Sequence, residues 1–371
     1  MRVGLDARTL AAPYRSGVEQ YVVDLVRALS ELEGAPDIIA YTDRPIEEAD
    51  IARAACSGTV RTKLVKARWG WLRAALPWQM RRDRVNVAHF PSTILPPLLP
   101  CPAVVTVHDL AWLRFPEAYS PEDLAMQYVA LESAKRAARV IAVSEATARD
   151  LEEAGVPGRS IVVIPLGVSD RFRPEGPALA PDALPGVERM QQGYLLYVGR
   201  LQERKNLVRL LEAYQLVRET REAPPLVLAG TGDAYAARLA DEARHLRITE
   251  HVIFTGYVSD ALLPALYRSA TVFLYLSLYE GFGLSVLEAM ASGVPVVTSN
   301  VGGTAEVASD AAMVVNPEKA AEIADAVSLL LGDEGIRASF RERGLLRARH
   351  FTWERTARET VAVYQHVAER L

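Results

Sequence analysis

Cysteine is almost absent from this chain, which has only Cys56 and Cys101 among its 371 residues. The two lie far apart, and neither belongs to a Cys-x-x-Cys pair. A structural zinc site or a disulfide framework needs cysteines in clusters or regular spacings, so both are excluded. We therefore expect two reduced thiols of the kind found in cytosolic proteins.

A strong net charge and long apolar segments are lacking as well. The formal net charge is −4 at pH 7, which argues against a nucleic-acid-binding protein. No apolar run approaches the length of a membrane-spanning helix, and Asp6 interrupts the apolar start, so we expect no signal sequence. These absences predict a cytoplasmic protein, at most peripheral at the inner face of a membrane.

The chain does contain enough apolar material for two cores. Half of its residues are hydrophobic, and 371 residues exceed what one core normally accommodates. Short β-prone runs alternate with helical patterns, which predicts an α/β protein. We expect a first domain at residues 1–170, a proline-rich linker at 171–192, a second domain at 193–350 and a final helix at 351–371.

The most informative stretch lies in the second domain. The pattern predicts a buried strand at 271–276, a turn at 280–283, a helix at 284–291 and the next strand at 294–298. A glycine turn that leads into a helix exposes free backbone N–H groups and the positive end of the helix dipole. This arrangement favours an anion such as a phosphate.

Two carboxylates bracket this turn. Glu280 precedes it and Glu288 lies in the helix, with Gly281, Phe282 and Gly283 between them. A phosphate site does not need acids beside it, whereas a ligand with both phosphates and sugar hydroxyls would use both features. An ordinary amphipathic helix with acids in its first turns is the alternative, since the dipole favours them there.

This Glu-x7-Glu pattern with Gly-Phe-Gly inside resembles the donor site of the family 4 retaining glycosyltransferases, which have the GT-B fold. The resemblance implies that Glu280 lies by the transferred sugar and that Glu288 holds the ribose hydroxyls of a nucleotide. It also implies that the backbone from Gly281 to Leu284 faces the sugar and the diphosphate.

A second match to this family opens the second domain. Gly199 and Arg200 follow a predicted strand and Lys205 precedes a predicted helix, within a Gly-Arg-Leu-x4-Asn-Leu pattern. Arginine and lysine at this point make a cationic pocket for a diphosphate, and the resemblance gives Arg200 and Lys205 these contacts. An exposed charged loop is the alternative, and we expect the neighbouring Arg204 to lie on the surface. The resemblance also places the nucleoside base against the loop that contains Val258.

The first domain offers three further candidates. Gly17 lies at or next to the start of the first long helix, where the family lets the donor diphosphate approach. His108 and Asp109 follow a predicted strand, and ligands gather at the carboxyl ends of parallel strands. The resemblance implies a catalytic role for His108 in contact with the sugar, and an acceptor-side role for Asp109. A loop glycine and a hydrogen-bonded histidine at a strand end are the structural alternatives.

Residues 61–84 differ in composition from the rest of the chain. Basic side chains surround a single acid, Asp83, and tryptophans are interleaved with them. The residues are Arg61, Lys63, Lys66, Arg68, Arg73, Arg81, Arg82 and Arg84, with Trp69, Trp71 and Trp78. Such a segment favours contact with a membrane surface or with an anionic acceptor. A solvated helix whose tryptophans pack inward is the alternative.

The resemblance covers nearly the whole chain and implies two Rossmann-like domains that face each other across a cleft. It implies a retaining hexosyltransferase that takes a sugar from a nucleotide-sugar to a glycan or lipid-linked acceptor. The sequence Arg204-Lys205-Asn206 is similar to that of mannosyltransferases that build bacterial surface polysaccharides, which favours GDP-mannose as the donor. The chain contains no Asp-x-Asp, so we expect activity without a metal, and no resident cofactor.

Other functions stay open at this stage. UDP-glucose and UDP-N-acetylglucosamine are alternative donors, and a nucleotide-sugar epimerase or a phosphorylase has the same fold. A non-catalytic scaffold is a further alternative. An NAD oxidoreductase is disfavoured because Gly230-Thr231-Gly232 lacks the third glycine of a dinucleotide fingerprint.

Overall fold

The computed structural model describes residues 1–11, 17–46, 59–180 and 183–369. Three features named above fall partly or wholly outside these ranges. They are Cys56, residues 181–182 of the predicted linker and residues 370–371 of the predicted final helix. Within the described ranges, no helix has the length and apolar character needed to cross a membrane.

The chain divides into two compact units. The first comprises Met1–Gly167 and Phe351–Leu371, and the second comprises Val168–His350. The segment predicted as a linker therefore groups with the second unit. Phe172, Val187 and Met190 give the reason, because these apolar side chains of the segment are buried.

The first unit is built on a seven-stranded parallel sheet with the order β3-β2-β1-β4-β5-β6-β7. Its strands are β1 (Arg2–Asp6), β2 (Asp37–Thr42), β3 (Val60–Leu64), β4 (Val87–Phe90), β5 (Ala103–Val107), β6 (Arg139–Ala142) and β7 (Ile161–Val163). Its α-helices are α1 (Gly17–Glu31), α2 (Leu76–Arg82), α3 (Ala111–Arg114), α4 (Pro121–Arg136) and α5 (Glu145–Glu153), with a π-helix at Trp71–Ala75 before α2. The central strands β4 and β5 are fully buried and mostly apolar, as is typical of parallel sheets, with His89 and Thr106 as their polar residues.

The second unit has a six-stranded parallel sheet with the order β10-β9-β8-β11-β12-β13. Its strands are β8 (Leu195–Val198), β9 (Leu226–Ala229), β10 (Val252–Gly256), β11 (Val272–Tyr275), β12 (Val296–Ser299) and β13 (Met313–Val315). Its α-helices are α6 (Leu207–Thr220), α7 (Asp233–His245), α8 (Leu263–Arg268), α9 (Leu284–Ala291), α10 (Gly302–Ala308), α11 (Ala320–Gly332) and α12 (Glu334–Ala348). The predicted α/β class with two Rossmann-like units is confirmed.

The last helix, α13 (Trp353–Ala368), belongs to the first unit and packs against α1. A glycine makes the entry to this helix possible. A Cβ atom on Gly167 would lie 2.3 Å from the backbone nitrogen of Trp353, closer than any side chain allows. The sequence therefore uses the smallest residue where two backbone segments of the first unit cross.

Each sheet contains a point where the strand order reverses. In the second sheet β8 and β11 are neighbours, but the chain leaves β8 toward β9 and leaves β11 toward β12 on the opposite side. In the first sheet β1 and β4 have the same relation. The loops after such strands diverge and leave a crevice at the carboxyl edge of the sheet, where ligands bind in open α/β folds.

Candidate active site

A buried ionic cluster joins the loops that follow β8 and β11. Lys205 Nζ lies 2.5 Å from Glu280 Oε1 and donates a hydrogen bond to the hydroxyl of Tyr275 at 2.7 Å. Arg204 Nη1 lies 3.0 Å from the same carboxylate oxygen. The side chains of Lys205, Arg204 and Glu280 are only 8%, 11% and 11% exposed. The reversal point of the second sheet thus holds one acid between two cations.

The expectation that Arg204 lies on the surface is wrong. Its guanidinium is nearly buried, and Nη1 also donates to the carbonyl of Tyr279 at 2.5 Å. A 3-10 turn at Glu203–Lys205 holds both basic side chains beside the loop after β11. The sequence carries no local signal of this contact, because the neighbouring loop lies more than seventy residues away along the chain.

The cluster shifts the pKa values of its members. Burial by itself would raise the pKa of Glu280, but the charges of Lys205 and Arg204 outweigh burial and the pKa lies below its usual value. Burial is the largest single influence on Lys205 and would lower its pKa, but the charge and hydrogen bond of Glu280 together with Tyr275 outweigh burial, and the pKa is raised. All three groups therefore carry charge at neutral pH, and the surplus positive charge favours an anion at this edge of the sheet.

Two residues with left-handed backbone shape the loops that carry the cluster. Gly283 has φ 106° and starts α9, and Asn206 has φ 60° and starts α6. Asparagine tolerates this conformation better than most residues. Its side-chain amide also donates to the carbonyls of Leu276 and Pro317 at 3.1 and 2.6 Å. The asparagine of the Gly-Arg-Leu-x4-Asn-Leu pattern therefore fixes the end of the turn that carries Lys205.

The start of α10 supports the Glu280 loop from one side. The backbone N–H of Gly303 donates to the carbonyl of Glu280 at 2.8 Å. A Cβ on Gly303 would lie 2.2 Å from the carbonyl oxygen of Gly281, and one on Gly302 would lie 2.5 Å from that of Glu280. The second glycine-rich sequence thus allows backbone to pack directly on the loop that presents Glu280.

Glu288 lies in the second turn of α9 and has a partner that the sequence analysis missed. The hydroxyl of Tyr267, on α8, donates to Glu288 Oε2 at 2.9 Å. Burial raises the pKa of Tyr267 well above its usual value, so the hydroxyl keeps its proton. Tyr267 therefore holds one carboxylate oxygen of Glu288 in place. This contact also sets the direction in which the other oxygen points.

The remaining predicted residues of the second unit follow strands of the same sheet. Arg200 comes directly after the loop glycine of β8 and is exposed, whereas Val258 follows β10 and is buried. Gly281 and Phe282 are buried, and Leu284 is half-buried. Because the strands are parallel, all of these positions lie toward the carboxyl edge of the sheet.

His108 follows β5 in the first unit and is held by two contacts. Its Nε2 lies 3.1 Å from the carbonyl oxygen of Pro91, which can only accept, so Nε2 carries the hydrogen. Its ring packs edge-to-face on Tyr21 with 4.8 Å between centroids. Burial lowers the pKa of His108, although the Pro91 carbonyl and the charge of Asp109 act in the opposite direction. A neutral ring in this tautomer presents Nδ1 as a hydrogen-bond acceptor.

A second histidine, which the sequence analysis did not single out, lies behind His108. His89 is fully buried, with Nδ1 at 2.7 Å from the Tyr364 hydroxyl and Nε2 at 2.8 Å from Thr106 Oγ1. The hydroxyl of Tyr21 lies 3.2 Å from the same threonine oxygen. Burial, with a smaller effect from His108, lowers the pKa of His89 to about 3. This neutral network links α13 through β4 and β5 to the tyrosine that packs on His108.

The two other candidates of the first unit have simpler surroundings. Gly17 is the exposed first residue of α1, and a Cβ atom there would meet nothing within 4 Å. Asp109 Oδ1 accepts from the backbone N–H of Ala111, the first residue of α3, at 3.0 Å. The fold therefore does not itself require glycine at position 17 for space.

Comparison with known proteins identifies the family. The family model described as Glycosyltransferase Family 4 matches residues 15–172, and the model described as Glycosyl transferases group 1 matches residues 185–347. The O-antigen chain mannosyltransferase B of Escherichia coli is 36% identical over 298 residues, which cover 78% of this chain and 76% of that protein. The chain belongs to glycosyltransferase family 4. Its predicted family and its activity as a glycosyltransferase are thereby confirmed.

Other family relatives match over shorter parts of their own length. The serotype-specific mannosyltransferase WbdA of Escherichia coli is 28% identical over 271 residues, which cover 70% of this glycosyltransferase and 33% of that protein. Among solved structures, Anabaena HepE in complex with UDP and glucose superposes with a TM-score of 0.77 and 18% identity. The superposition covers 98% of this chain and 99% of that one. At this identity the structural likeness shows the shared fold.

The basic, tryptophan-containing segment of this glycosyltransferase is largely exposed. Trp69 and Trp78 are 83% and 60% exposed, so the alternative with tryptophans packed inward is wrong for both. Trp71 is half-buried and donates to the carbonyl of Val65. Arg61 and Lys63 form ion pairs, whereas the other basic side chains are exposed and have no ion pair within the described residues. These side chains are Lys66, Arg68, Arg73, Arg81, Arg82 and Arg84.

Across the part of the chain that the structure describes, no three or more histidine, cysteine, aspartate and glutamate side chains group so as to hold an ion. The cationic groups beside Glu280 are the side chains of Lys205 and Arg204.

Proposed function

We propose that this glycosyltransferase transfers a hexose with retention from a nucleotide-sugar to a glycan or lipid-linked acceptor in surface polysaccharide or glycolipid synthesis. The favoured donor is GDP-mannose. The observation that carries the donor site is the cluster of Lys205, Arg204 and Glu280 at the reversal point of the second sheet. The choice of mannose is supported by the similarity to the O-antigen chain mannosyltransferase B.

The donor is bound through its charges and its hydroxyls. Lys205, Arg200 and the N-terminus of α9 hold the diphosphate, because they supply ammonium, guanidinium and free N–H groups. The ammonium of Lys205 donates hydrogen bonds to Glu280 and to the phosphate together, or it gives up its hydrogen bond to Glu280 when the phosphate binds. Glu288, oriented by Tyr267, accepts from the ribose hydroxyls. Val258 lies against the base.

The reaction follows as a front-side displacement. The bond between the anomeric carbon and the phosphate oxygen breaks, and the acceptor oxygen forms its bond on the same face while its proton passes to the leaving phosphate. The transition state has oxocarbenium character, which the negative charge of Glu280 stabilises. His108 accepts a hydrogen bond from a sugar hydroxyl through Nδ1. Cationic side chains stabilise the leaving diphosphate, so no metal is required.

The acceptor side involves the first unit. Asp109 borders the acceptor, and residues 61–84 attach the enzyme to an anionic membrane surface. Unpaired basic side chains and two exposed tryptophans support this attachment, since such residues bind lipid headgroups and the interfacial region. A lipid-linked acceptor would then be reached from the membrane surface.

Thermal unfolding with a panel of nucleotides, in EDTA, tests the donor proposal. A ligand at a hundred times its dissociation constant stabilises the fold by about 2.7 kcal/mol. We expect GDP and GDP-mannose to raise the melting temperature and UDP and NAD to leave it unchanged. A shift only when a divalent metal is added would contradict metal independence, and no shift with any nucleotide would contradict the donor site.

A UDP-sugar donor is the second candidate, because the solved structure of similar fold contains UDP and glucose. A shift with UDP alone in the same panel would establish it and would keep the enzyme class. An epimerase of the same fold would convert the nucleotide-sugar without any acceptor. Incubation of the donor alone, with the product analysed by chromatography, separates this activity from transfer.

A further inference from the structure

An open cavity of about 480 Å³ lies between β7 and α13 in the first unit. We call it the α13 groove. Its walls are apolar side chains of the strand and of the helix. They are Val162, Val163, Ile164, Ala362 and Val363. Because β7 is the last strand of its sheet, the groove runs along the outer edge of the unit, away from the loop that carries His108.

Two arginines stand at one end of the groove. Arg139 and Arg159 line it, and both also line an adjoining cavity of about 320 Å³. Arg139 begins β6 and Arg159 precedes β7, so both lie at the amino edge of the sheet. The candidate active site uses the carboxyl edge of the same sheet, and the two arginines therefore belong to a different surface.

The two guanidinium groups have no carboxylate partner in the described chain. Arg139 donates to the carbonyl of Ala138 at 3.1 Å and to His366 Nε2 at 2.6 Å. Arg159 is exposed, and none of the ion pairs of the described residues involves it. At the other end of the groove, Arg355 is paired with Glu359 at 2.8 Å. Unneutralised positive charge is thus confined to the end where Arg139 and Arg159 lie.

We propose that the α13 groove binds an amphipathic anion, with a phosphate or carboxylate head on Arg139 and Arg159 and an alkyl chain along the apolar walls. Guanidinium groups bind such heads through paired N–H bonds. The helix rises about 1.5 Å per residue, so the wall from Arg355 to His366 is roughly 16 Å long, which exceeds an extended octyl chain. The proposal does not depend on the donor, because no donor-site residue lines the groove.

Titration calorimetry on the full chain tests this site with octyl phosphate below its micelle concentration. Inorganic phosphate supplies the head alone and 1-octanol supplies the chain alone. Because each buried methylene adds favourable free energy, we expect octyl phosphate to bind at least about tenfold more tightly than either fragment. Absence of binding, or equal binding of octyl phosphate and inorganic phosphate, would overturn the proposal.

Two exposed substitutions locate the binding. Arg159→Ala removes one guanidinium, and Ala362→Asp places a negative charge in the wall at an exposed helix position. Each should weaken octyl phosphate at least about tenfold without changing the melting temperature. Arg358→Ala, on the same helix but outside the groove, is the matched control and should bind as wild type. Wild-type binding by both groove variants would overturn the proposal.

Two further experiments complete the test. The first distinguishes the groove from the donor site, and the second distinguishes a lipid headgroup from a free anion. Octyl phosphate bound in the groove should bind equally to an Arg200→Ala variant, whereas loss of binding there would place it in the donor site and refute the groove. Flotation with phosphatidic acid vesicles, measured in a background with Trp69 and Trp78 replaced by serine so that residues 61–84 contribute little, then distinguishes the sources. Loss of flotation in Arg159→Ala supports a lipid headgroup, and unchanged flotation together with lost octyl phosphate binding supports a free amphipathic anion.

Discussion

Glu280 is a single carboxylate that forms ion pairs with two cationic side chains. Lys205 and Arg204 both contact Oε1, and the pair of cations exceeds the charge of the acid. A buried acid without partners would have a raised pKa and would be neutral, which would make it useless for stabilising a positive sugar. The two cations therefore keep Glu280 ionised and leave a net positive charge beside it, as the proposed binding of a diphosphate requires.

Replacement of Glu280 by glutamine or alanine should separate catalysis from binding. Loss of the negative charge should lower kcat by more than about a hundredfold, since electrostatic groups at a transition state contribute on this scale. Nucleotide binding should be kept or tightened, because Lys205 is released from the carboxylate. Steady-state kinetics measure kcat, and calorimetry with GDP measures nucleotide binding. Glu212→Gln, on the surface of α6, is the control, and full activity of Glu280→Ala would refute the assigned role.

Tyr267→Phe should weaken nucleotide binding and leave the chemical step nearly unchanged. The substitution removes the hydroxyl that orients Glu288, and one hydrogen bond to a charged group is worth about 1.5 kcal/mol or more, roughly tenfold in the dissociation constant. Tyr214→Phe is the matched control, because its buried hydroxyl donates to the carbonyl of Pro224 far from Glu288. Equal effects of the two substitutions on GDP affinity would show that Tyr267 acts only through stability.

The elements of the fold explain which loops form the site. The helix predicted at 284–291 is confirmed as α9 with the same bounds, because Gly283 and Gly293 punctuate an apolar helix on both sides. The edge strands β3 and β13 lack the sequence pattern that marks the central strands. β3 contains Arg61 and Lys63 and is only partly buried, and β13 has three residues, so neither shows the apolar run of a central strand.

The segment from β3 to α2 should act as a unit in membrane binding. The double substitution of Trp69 and Trp78 by serine should reduce binding to phosphatidylglycerol vesicles by tenfold or more, since interfacial tryptophans and basic residues act together. Cosedimentation with the vesicles measures this binding. Added salt should also weaken the binding of the wild-type protein. Leu98→Ser, another exposed apolar side chain of the first unit, is the control. Unchanged binding by the double variant would refute the membrane role.

At the scale of the whole molecule, each unit has its own core and its own buried polar network. The network around His89 lies inside the first unit and connects two of its strands, β4 and β5, with two of its helices, α1 and α13. The cluster around Glu280 lies inside the second. Acid should therefore affect the two units differently, because a buried neutral histidine must gain a proton when its surroundings open.

The stability of the first unit should fall as the pH drops below 6.5. The folded pKa of His89 is about 3, below its ordinary value of 6.5, so the unfolded chain binds the extra proton between these values and stability rises with pH. At pH 5 this costs about 2 kcal/mol relative to pH 7.5. Urea unfolding at the two pH values should show a smaller difference for His89→Gln than for wild type. His245→Gln, which is exposed, should retain the wild-type difference; an unchanged difference in His89→Gln would contradict the assignment.

The sequence by itself determined the α/β class, the family and the loops that bear the candidate site. These follow from local signals: apolar runs mark strands, glycines mark turns, and Gly283 and Gly293 bound the helix that carries Glu288. Local signals report only how a segment is buried, and not which segments become neighbours. Strand order decided the rest, since it brought β8 beside β11 and so buried Arg204 on Glu280, and placed Tyr267 on Glu288. Tertiary packing likewise decided which side chains are exposed. It left Trp69 and Trp78 in solvent and placed His89, on β4, in the core.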